Sequence, residues 1–399
     1  MNRERLGLMG GSFNPFHSRH LGMALAAKKE YKLDKLLFVP SGNPPHKREG
    51  LESAEDRFEM TWLATCQTEG AEASRVEVDR EGVIYAVDTL RILHEQYPRA
   101  EIFYIIGEDT MEDLPNWRDP DTVFTLCRFL VCPRETVEAE KLPCVKALRK
   151  RGAKLSFLKE KPMEVSSTAV REALRQGQTP SELPPQVMAY IRVAGLYGLT
   201  PSPLNGRALY EQIKPLLSTK RLLHSLMVCE MARELAQLHG VDEEKATTAA
   251  LLHDCAKCLP LSEMKKLVLE DGQKPDEETL SNGGLLHGPA GAVLARDRLG
   301  VTDPEILQAI DCHTTGRAGM TKLDMIVYLA DKIERSRKPY PMLEKLRALS
   351  QQDLRRAVMA SLQSTVEFVR GKGDKPLHPQ TLKSYEWLQA ELEKEENQP

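Results

Sequence analysis

A chain of 399 residues, 41% hydrophobic and 28% charged, has room for more than one folded unit and the composition of an ordinary globular protein. Its net charge of −3 argues against a nucleic-acid scaffold or a polybasic membrane patch, and no apolar run is long enough to span a bilayer. Met1-Asn2-Arg3-Glu4-Arg5 opens no signal peptide, and eight cysteines at irregular spacings predict reduced thiols in a cytoplasmic setting. Cys255 and Cys258 form a CxxC without a second pair at zinc-site spacing, so they read as helix residues flanking His253-Asp254.

The first half alternates short β-branched or aromatic runs with helical stretches. Strands are expected at Leu6–Met9, Lys35–Val39, Arg75–Val78, Glu101–Ile106, Arg128–Val131 and Lys154–Leu158. Helical patterns intervene at Leu21–Tyr31, Ala54–Thr65 and Val87–Gln96. Such alternation predicts a Rossmann-like, doubly wound parallel sheet with both faces covered. Residues 1–199 are assigned to this α/β domain. Pro201, Ser202, Pro203 and Gly206 mark a linker over 200–207. Beyond it strand signals nearly vanish, and apolar residues recur at helical spacing in Leu222–Leu238, Lys245–Leu252, Ala290–Leu299, Pro304–Ile310, Lys322–Ile333 and Leu354–Val369. Residues 208–399 therefore read as an all-α helical bundle, with the charged tail from Glu391 to Pro399 expected to fray.

The first strand ends in Gly10-Gly11, followed by Ser12-Phe13-Asn14-Pro15-Phe16-His17-Ser18-Arg19-His20. Glycines at this point let the backbone approach a ligand near a helix N-terminus, beyond the carboxyl ends of the strands. His17 and His20 share a face if a helix starts here, and two imidazoles there suit a polyphosphate. A turn with two solvated histidines is the plainer alternative. Val165-Ser166-Ser167-Thr168-Ala169-Val170-Arg171 opens a later helix that Ser166 or Ser167 can cap. Ser167, Thr168 and free backbone N–H groups can hold phosphate, with Arg171 on the same face. Alone this could be a capped helix with a surface arginine; paired with the histidine turn it forms a bipartite phosphate clamp.

GGSFNPFHSRH and VSSTAVR resemble the two signatures of the nucleotidyltransferase superfamily, GGxFxPxHxGH and ISSTxxR. Val39 to Lys47, Tyr85-Ala86-Val87-Asp88-Thr89-Leu90, Ile106-Gly107-Glu108-Asp109, Leu114 to Trp117 and Leu183 to Tyr197 narrow the resemblance to bacterial nicotinate-mononucleotide adenylyltransferases. The resemblance implies attack of a mononucleotide phosphate on the α-phosphate of ATP, with Mg²⁺ accompanying the ATP. It makes His17, His20, Lys47 and Arg171 catalytic. It makes Gly10, Gly11, Ser12, Phe13, His46, Asp88, Thr89, Gly107, Asp109, Trp117, Ser167 and Thr168 nucleotide-binding, with Trp117 either on the pyridine ring or in the core. Arg19 stands where that family has Gly, and Ala86 where it usually has Thr. Arg19 must point away, crowd the site or add a phosphate contact; if it disables turnover, this half is a nucleotide-binding sensor.

In the second half His253-Asp254 follows the apolar run Ala249-Ala250-Leu251-Leu252, and a carboxylate so placed needs a partner. His224, His287, His313 and Asp331 each lie beside an apolar stretch as well. One such histidine is usually a satisfied core residue; four of them with two aspartates suit a metal of the Fe, Mn, Zn or Mg group. The set resembles the HD phosphohydrolase superfamily. His287-Gly288-Pro289-Ala290-Gly291-Ala292, His313-Thr314-Thr315-Gly316-Arg317 and Ala330-Asp331-Lys332-Ile333-Glu334 narrow it to the subgroup that cleaves diadenosine tetraphosphate symmetrically with an iron centre. The resemblance implies that His224, His253, Asp254 and Asp331 bind one metal and His287 and His313 a second, with Asp254 bridging and catalytic. Iron is expected, with Mn or Zn as alternatives. Lys257, Thr315 and Arg317 read either as phosphate contacts or as ordinary surface residues. The partners implied are ATP, nicotinate mononucleotide and diadenosine tetraphosphate, with no nucleic acid and no membrane; the sequence leaves an oligomer open, and another nucleotide remains an alternative for the hydrolase.

Overall fold

The computed structural model describes residues 3–43, 50–133, 139–159, 165–199, 205–371 and 377–396. His46 and Lys47, and residues 200–204 of the expected linker, lie outside the described residues. The chain divides into two compact units, Met1–Ile191 with Leu196–Leu199, and Arg192–Gly195 with Thr200–Pro399.

The first unit runs β1 (Arg5–Gly11), α1 (Ser18–Tyr31), β2 (Lys35–Pro40), α2 (Ala54–Thr65), β3 (Ala71–Ala73), α3 (Ala86–Gln96), β4 (Glu101–Gly107) and α4 (Glu108–Asp113). It continues with α5 (Pro120–Leu126), β5 (Arg128–Cys132), α6 (Pro143–Lys150), β6 (Lys154–Phe157), α7 (Ser167–Arg175) and α8 (Pro185–Ala194). The strands form one sheet in the order β3-β2-β1-β4-β5-β6, with every pairing parallel. Each crossover brings a helix onto a face, so alternate strand residues bury on both sides. Leu6, Leu8, Ile102, Ile106, Phe129 and Val131 pack with Val87, Leu90 and Leu93 of α3 and Phe124 of α5. Side chains of this size contribute roughly 1.5–3 kcal/mol each when fully buried. The order reverses at β1, which pairs with β2 on one side and β4 on the other. That switch point opens a crevice beyond the carboxyl ends of β1 and β4.

The expected strand at Arg75–Val78 is not one. The strand is Ala71–Ala73, and the next residues turn: the Asp79 N–H donates to the Arg75 carbonyl. The Arg75 guanidinium binds Glu55 and Asp79, which holds this turn in place of an extended segment.

The second unit contains α9 (Gly206–Ile213), α10 (Thr219–His239), α11 (Glu243–Leu252), α12 (Leu261–Glu270), α13 (Glu277–Ser281) and α14 (Gly283–Asp297). It ends with α15 (Pro304–Cys312), α16 (Lys322–Ile333), α17 (Leu343–Ser350), α18 (Leu354–Gly371) and α19 (Pro379–Glu396). Asn205 caps α9, so residues 206 and 207, expected in the linker, are helical instead. Side-chain caps also start α10 (Ser218), α11 (Asp242), α15 (Asp303) and α16 (Thr321). Nearly the whole of α16 is buried, and it packs on α10, α11, α15 and α18. Residues 391–396, expected to fray, complete α19, where Arg355 and Arg356 of α18 pair with Glu391, Glu395 and Glu396. Cys255 and Cys258 lie in turns after α11, not in a helix, because α11 ends at Leu252. No described helix is long and apolar enough to cross a membrane.

Two candidate active sites

In the first unit, β1 delivers Gly10 and Gly11 to the crevice and α1 begins at Ser18, just after His17. A Cβ on Gly10 would stand 2.6 Å from the hydroxyl of the buried Tyr104, so a larger residue here would have to displace that side chain. The rings of His17 and His20 stack with centroids 3.7 Å apart, and the His17 backbone N–H donates to His20 Nδ1. Phe13 and Phe16 pack around His20. Burial first, then the neighbouring Arg19 charge, lowers the His17 pKa to about 4. Burial, His17 and Arg19 hold His20 well below its ordinary value. Both imidazoles are therefore neutral at pH 7.

The segment expected to complete the clamp arrives at the same place. His17 Nε2 lies 2.9 Å from Ser167 Oγ. Arg171 donates to the Asn14 carbonyl at 2.8 Å and to Thr168 Oγ1 at 3.2 Å. Ser166 occupies the N-cap position of α7 without a side-chain cap bond, so the expected capping by Ser166 or Ser167 is not made. A cavity of about 270 Å³ lies here, lined among others by Gly10, Gly11, Phe13, His17, His20, Gly107, Asp109, Trp117 and Ser167. Arg19 faces this cavity and donates to the Val165 carbonyl at 3.2 Å. Ser12, Asp88, Thr89, Thr168 and Arg171 are not among its lining residues. Thr89 is buried and donates to Glu77 Oε1 at 2.6 Å, so its hydroxyl serves the fold. Asp88 accepts the Tyr85 N–H in the first turn of α3. Trp117 lines the cavity and packs against Tyr104 and Phe129.

Arg57 of α2 is a residue that motif reading missed. The residue is 1% exposed, and its guanidinium donates to the carbonyls of Ser12, Gly42 and Glu52 and to Ser41 Oγ. It fixes the segments after β1 and β2 to each other.

In the second unit, six residues from five places in the fold converge: α10, the turn after α11, α14, the end of α15 and α16. Asp254 Oδ1 lies 3.1 Å from His287 Nε2 and 3.9 Å from His313 Nε2, while Asp254 Oδ2 lies 3.6 Å from His253 Nε2. Asp331 Oδ1 lies 2.9 Å from His224 Nε2 and 3.7 Å from His253 Nε2. The ligand atoms form two groups with metal-holding spacing, His224–His253–Asp254 and Asp254–His287–His313, sharing Asp254. Asp331 adjoins the first.

Every imidazole is oriented from behind. Nδ1 of His253, His287 and His313 faces the carbonyls of Ala250 (2.6 Å), Gly283 (3.2 Å) and Ile310 (2.7 Å). A carbonyl only accepts, so Nδ1 of His253 and of His313 carries the proton and each Nε2 turns a lone pair inward; His287 Nδ1 also faces Lys257 Nζ at 3.2 Å. His224 Nδ1 instead faces Glu334 Oε1 at 3.2 Å. Gly288 lets α14 approach α15: a Cβ there would meet the Asp311 carbonyl oxygen at 2.5 Å. Burial would raise the Asp254 carboxyl, but His253, His287 and His313 outweigh it and keep it ionised far below the usual range. Burial also lowers His253, and burial with His287 and His253 lowers His313 strongly. His253 Nε2 is a buried polar atom without a hydrogen-bond partner. An inward lone pair with no donor to meet it is what a divalent metal satisfies.

Cations surround the set. Arg221 Nη1 is 2.9 Å from Asp254 Oδ2, Arg337 Nη2 is 2.5 Å from Asp331 Oδ1, and Lys257 Nζ is 3.1 Å from His287 Nε2. Neither arginine was singled out from sequence, although Arg221 precedes His224 by one helical turn. Arg317 is committed elsewhere, to the buried Asp324 at 2.7 Å, and the Thr315 hydroxyl donates to the Gly316 carbonyl. Thr314 is the threonine beside the histidines, 3.2 Å from His313 Nε2.

Fold and side-chain sets define the class: an α/β nucleotidyltransferase-type unit joined to a helical HD-type unit. Residues 8–173 match the cytidylyltransferase-like family and residues 221–336 the HD domain. A probable nicotinate-nucleotide adenylyltransferase of Gloeobacter violaceus is 43% identical over 198 residues, covering 49% of this chain and 96% of its own. A symmetrical bis(5'-nucleosyl)-tetraphosphatase of Halalkalibacterium halodurans is 41% identical over 187 residues, 47% of this chain and 97% of its own. A Mycoplasma genitalium protein named as a probable nicotinate-nucleotide adenylyltransferase/Ap4A hydrolase is 29% identical over 373 residues, 92% of this chain and 99% of its own. The chain belongs to the nicotinate-nucleotide adenylyltransferase family through its first half and to the HD-domain symmetrical tetraphosphatase family through its second.

Proposed function

We propose that the protein is a bifunctional cytoplasmic enzyme of adenine nucleotide chemistry. Its first unit transfers the adenylyl group of ATP to nicotinate mononucleotide, and its second unit hydrolyses diadenosine tetraphosphate to two ADP. The Mycoplasma relative, whose name joins both activities along almost its full length, supports reading them as one enzyme.

In the first reaction an oxygen of the mononucleotide phosphate bonds to the α-phosphorus of ATP as pyrophosphate leaves. Catalysis is positioning and charge stabilisation, with Mg²⁺ accompanying the triphosphate. His17 and His20 donate to the phosphates as neutral imidazoles. Ser167 and Thr168 hold phosphate oxygens, and Lys47 and Arg171 balance the leaving charge. Gly107 and Asp109 bind nucleotide, and Trp117 supports the pyridine ring. The carrying observation is the meeting of His17 with Ser167.

In the second reaction water oxygen bonds to one inner phosphorus, and the bond between the two inner phosphates breaks. His224, His253, Asp254 and Asp331 would hold one metal and His287, His313 and Asp254 another; mixed imidazole and carboxylate donors suit Fe, Mn, Zn or Mg, and iron is preferred among them by the resemblance to the symmetrical tetraphosphatases. Two bound divalent metals supply Lewis acidity and an acidified water. Arg221, Lys257 and Arg337 neutralise the polyphosphate. The carrying observation is that both ligand groups share Asp254.

The test uses the full chain, loaded anaerobically with iron. ATP plus nicotinate mononucleotide should give pyrophosphate and dinucleotide, and diadenosine tetraphosphate should give only ADP. ATP binding without pyrophosphate release would establish the sensor reading of the first unit. Cleavage of another nucleotide with diadenosine tetraphosphate untouched would overturn the second assignment.

A further inference from the structure

The two ligand groups that share Asp254 differ in what stands behind them. In the second group the Nδ1 atoms of His287 and His313 meet main-chain carbonyls of their own segments. In the first, His224 is backed by a carboxylate from another helix. Glu334, directly after α16, sits 3.2 Å from His224 Nδ1, and its side chain is only 2% exposed. Glu334 is itself fixed, accepting from the Ser336 backbone N–H and from Ser336 Oγ at 2.8 Å. It follows Asp331 by three residues, so one helical turn presents both a ligand carboxylate and the group that orients the neighbouring imidazole.

The electrostatics divide the same way. Around His224 and His253 stand Asp254, Asp331 and Glu334, three carboxylates. His287 and His313 have Asp254 within 4 Å, Asp331 acting on His313 only from farther off, and Lys257 Nζ lies 3.1 and 3.2 Å from the two ring nitrogens of His287. Arg221 and Arg337 reach the first group too, but each side chain is about one-third exposed, so solvent screens it more than the buried Glu334. The first group also offers four side-chain ligands against three.

We propose that the two subsites are unequal: Glu334, as the positioning residue of His224, makes His224–His253–Asp254–Asp331 the tight divalent-metal subsite, and Asp254–His287–His313 the weaker one that fills last. The carboxylate locks the tautomer of His224 and strengthens its Nε2 as a donor. Lys257 opposes a second cation until a polyphosphate draws its charge away. The inference rests on reading the six residues as a two-metal centre.

The experiment titrates metal-free full-length protein with Co²⁺, following visible absorption and bound metal per chain, with no nucleotide present. Wild type should bind in two steps separated by about tenfold or more in Kd. E334Q keeps an acceptor but loses the charge, and should weaken the first step by roughly 10–100-fold, the range for such supporting partners. K257M should leave the first step in place and tighten the second several-fold; it does not depend on E334Q folding, which circular dichroism checks. Two steps of equal affinity, or an E334Q curve superimposed on wild type, would overturn the inequality. A single step taking one ion would overturn the two-metal reading itself. Since no substrate enters, failure to cleave diadenosine tetraphosphate leaves either result intact.

Discussion

His17 and Ser167, 150 residues apart, meet at 2.9 Å between Nε2 and Oγ, joining the turn after β1 to the start of α7. If they act on the same phosphate, their contributions are coupled. H17A should lower the rate of dinucleotide formation by about 10²–10³-fold, the usual loss for one preorganised donor. S167A alone should cost about tenfold, near one hydrogen bond. The double variant should lose less than the product of the two, because the first change already breaks their contact. Steady-state rates for the four proteins test this; strictly multiplicative losses would show that the two side chains act independently.

The neutral histidines make a pH prediction. His17 falls to about 4 in the fold, through burial and then Arg19, against about 6.5 for an unperturbed imidazole. The unfolded chain therefore takes up the extra proton between these values, so stability falls as pH drops from about 6.5 to 4. Above 6.5 the contribution is fully present and flat. For His17 alone it is on the order of 3 kcal/mol, and His20, lowered further, adds in the same direction. Thermal unfolding of wild type and H17Q between pH 4 and 8 checks it. H17Q should show a shallower fall below pH 6.5; identical slopes would mean that His17 is not buried neutral.

Both architectures were legible because each imposes a period on the sequence. Buried parallel strands give continuous apolar runs, and the helical periods of Ala54–Thr65 and Lys322–Ile333 coincide with the helices, which Ser53 and Thr321 cap. The metal-binding candidates stood out as polar residues beside apolar stretches. Val76 and Val78 misled, because their alternation resembles a strand while the Arg75 ion pairs select a turn. Arg57 left no signal, since three of its four acceptors are main-chain carbonyls. Glu334 could have been found from its three-residue spacing after Asp331.

Gly288 should be intolerant of even one methyl group. Its Cβ would sit 2.5 Å from the main-chain oxygen of Asp311, and that contact is relieved only by moving α14 from α15. Those helices carry His287 and His313, whose Nε2 atoms are 3.0 Å apart. G288A should destabilise the second unit by roughly 1–3 kcal/mol, as overpacking does. It should also lower bound metal below wild type at equal free metal, leaving adenylyl transfer intact. Denaturant unfolding, metal analysis and both assays on one preparation test it. Unchanged metal binding would mean that the helices can separate without disturbing the ligands.

Arg57 should couple the fold to the first activity more strongly than its distance from the chemistry suggests. Its planar guanidinium reaches Ser12, Ser41, Gly42 and Glu52 at 2.9–3.2 Å. A lysine keeps the charge, but one ammonium cannot span acceptors spread over three segments. R57K therefore leaves buried carbonyls unsatisfied at roughly 1–3 kcal/mol each, less whatever relaxation recovers. The segments it releases flank the Gly10-Gly11-Ser12 turn, so dinucleotide formation should fall by at least about tenfold even where the protein remains folded. Hydrolysis of diadenosine tetraphosphate by the same preparation should be unchanged, which separates a local loss of positioning from general unfolding. If R57K keeps wild-type adenylyl transfer, the turn after β1 is held by its own packing, chiefly Phe13 against Phe16 and Phe38, and Arg57 contributes stability alone.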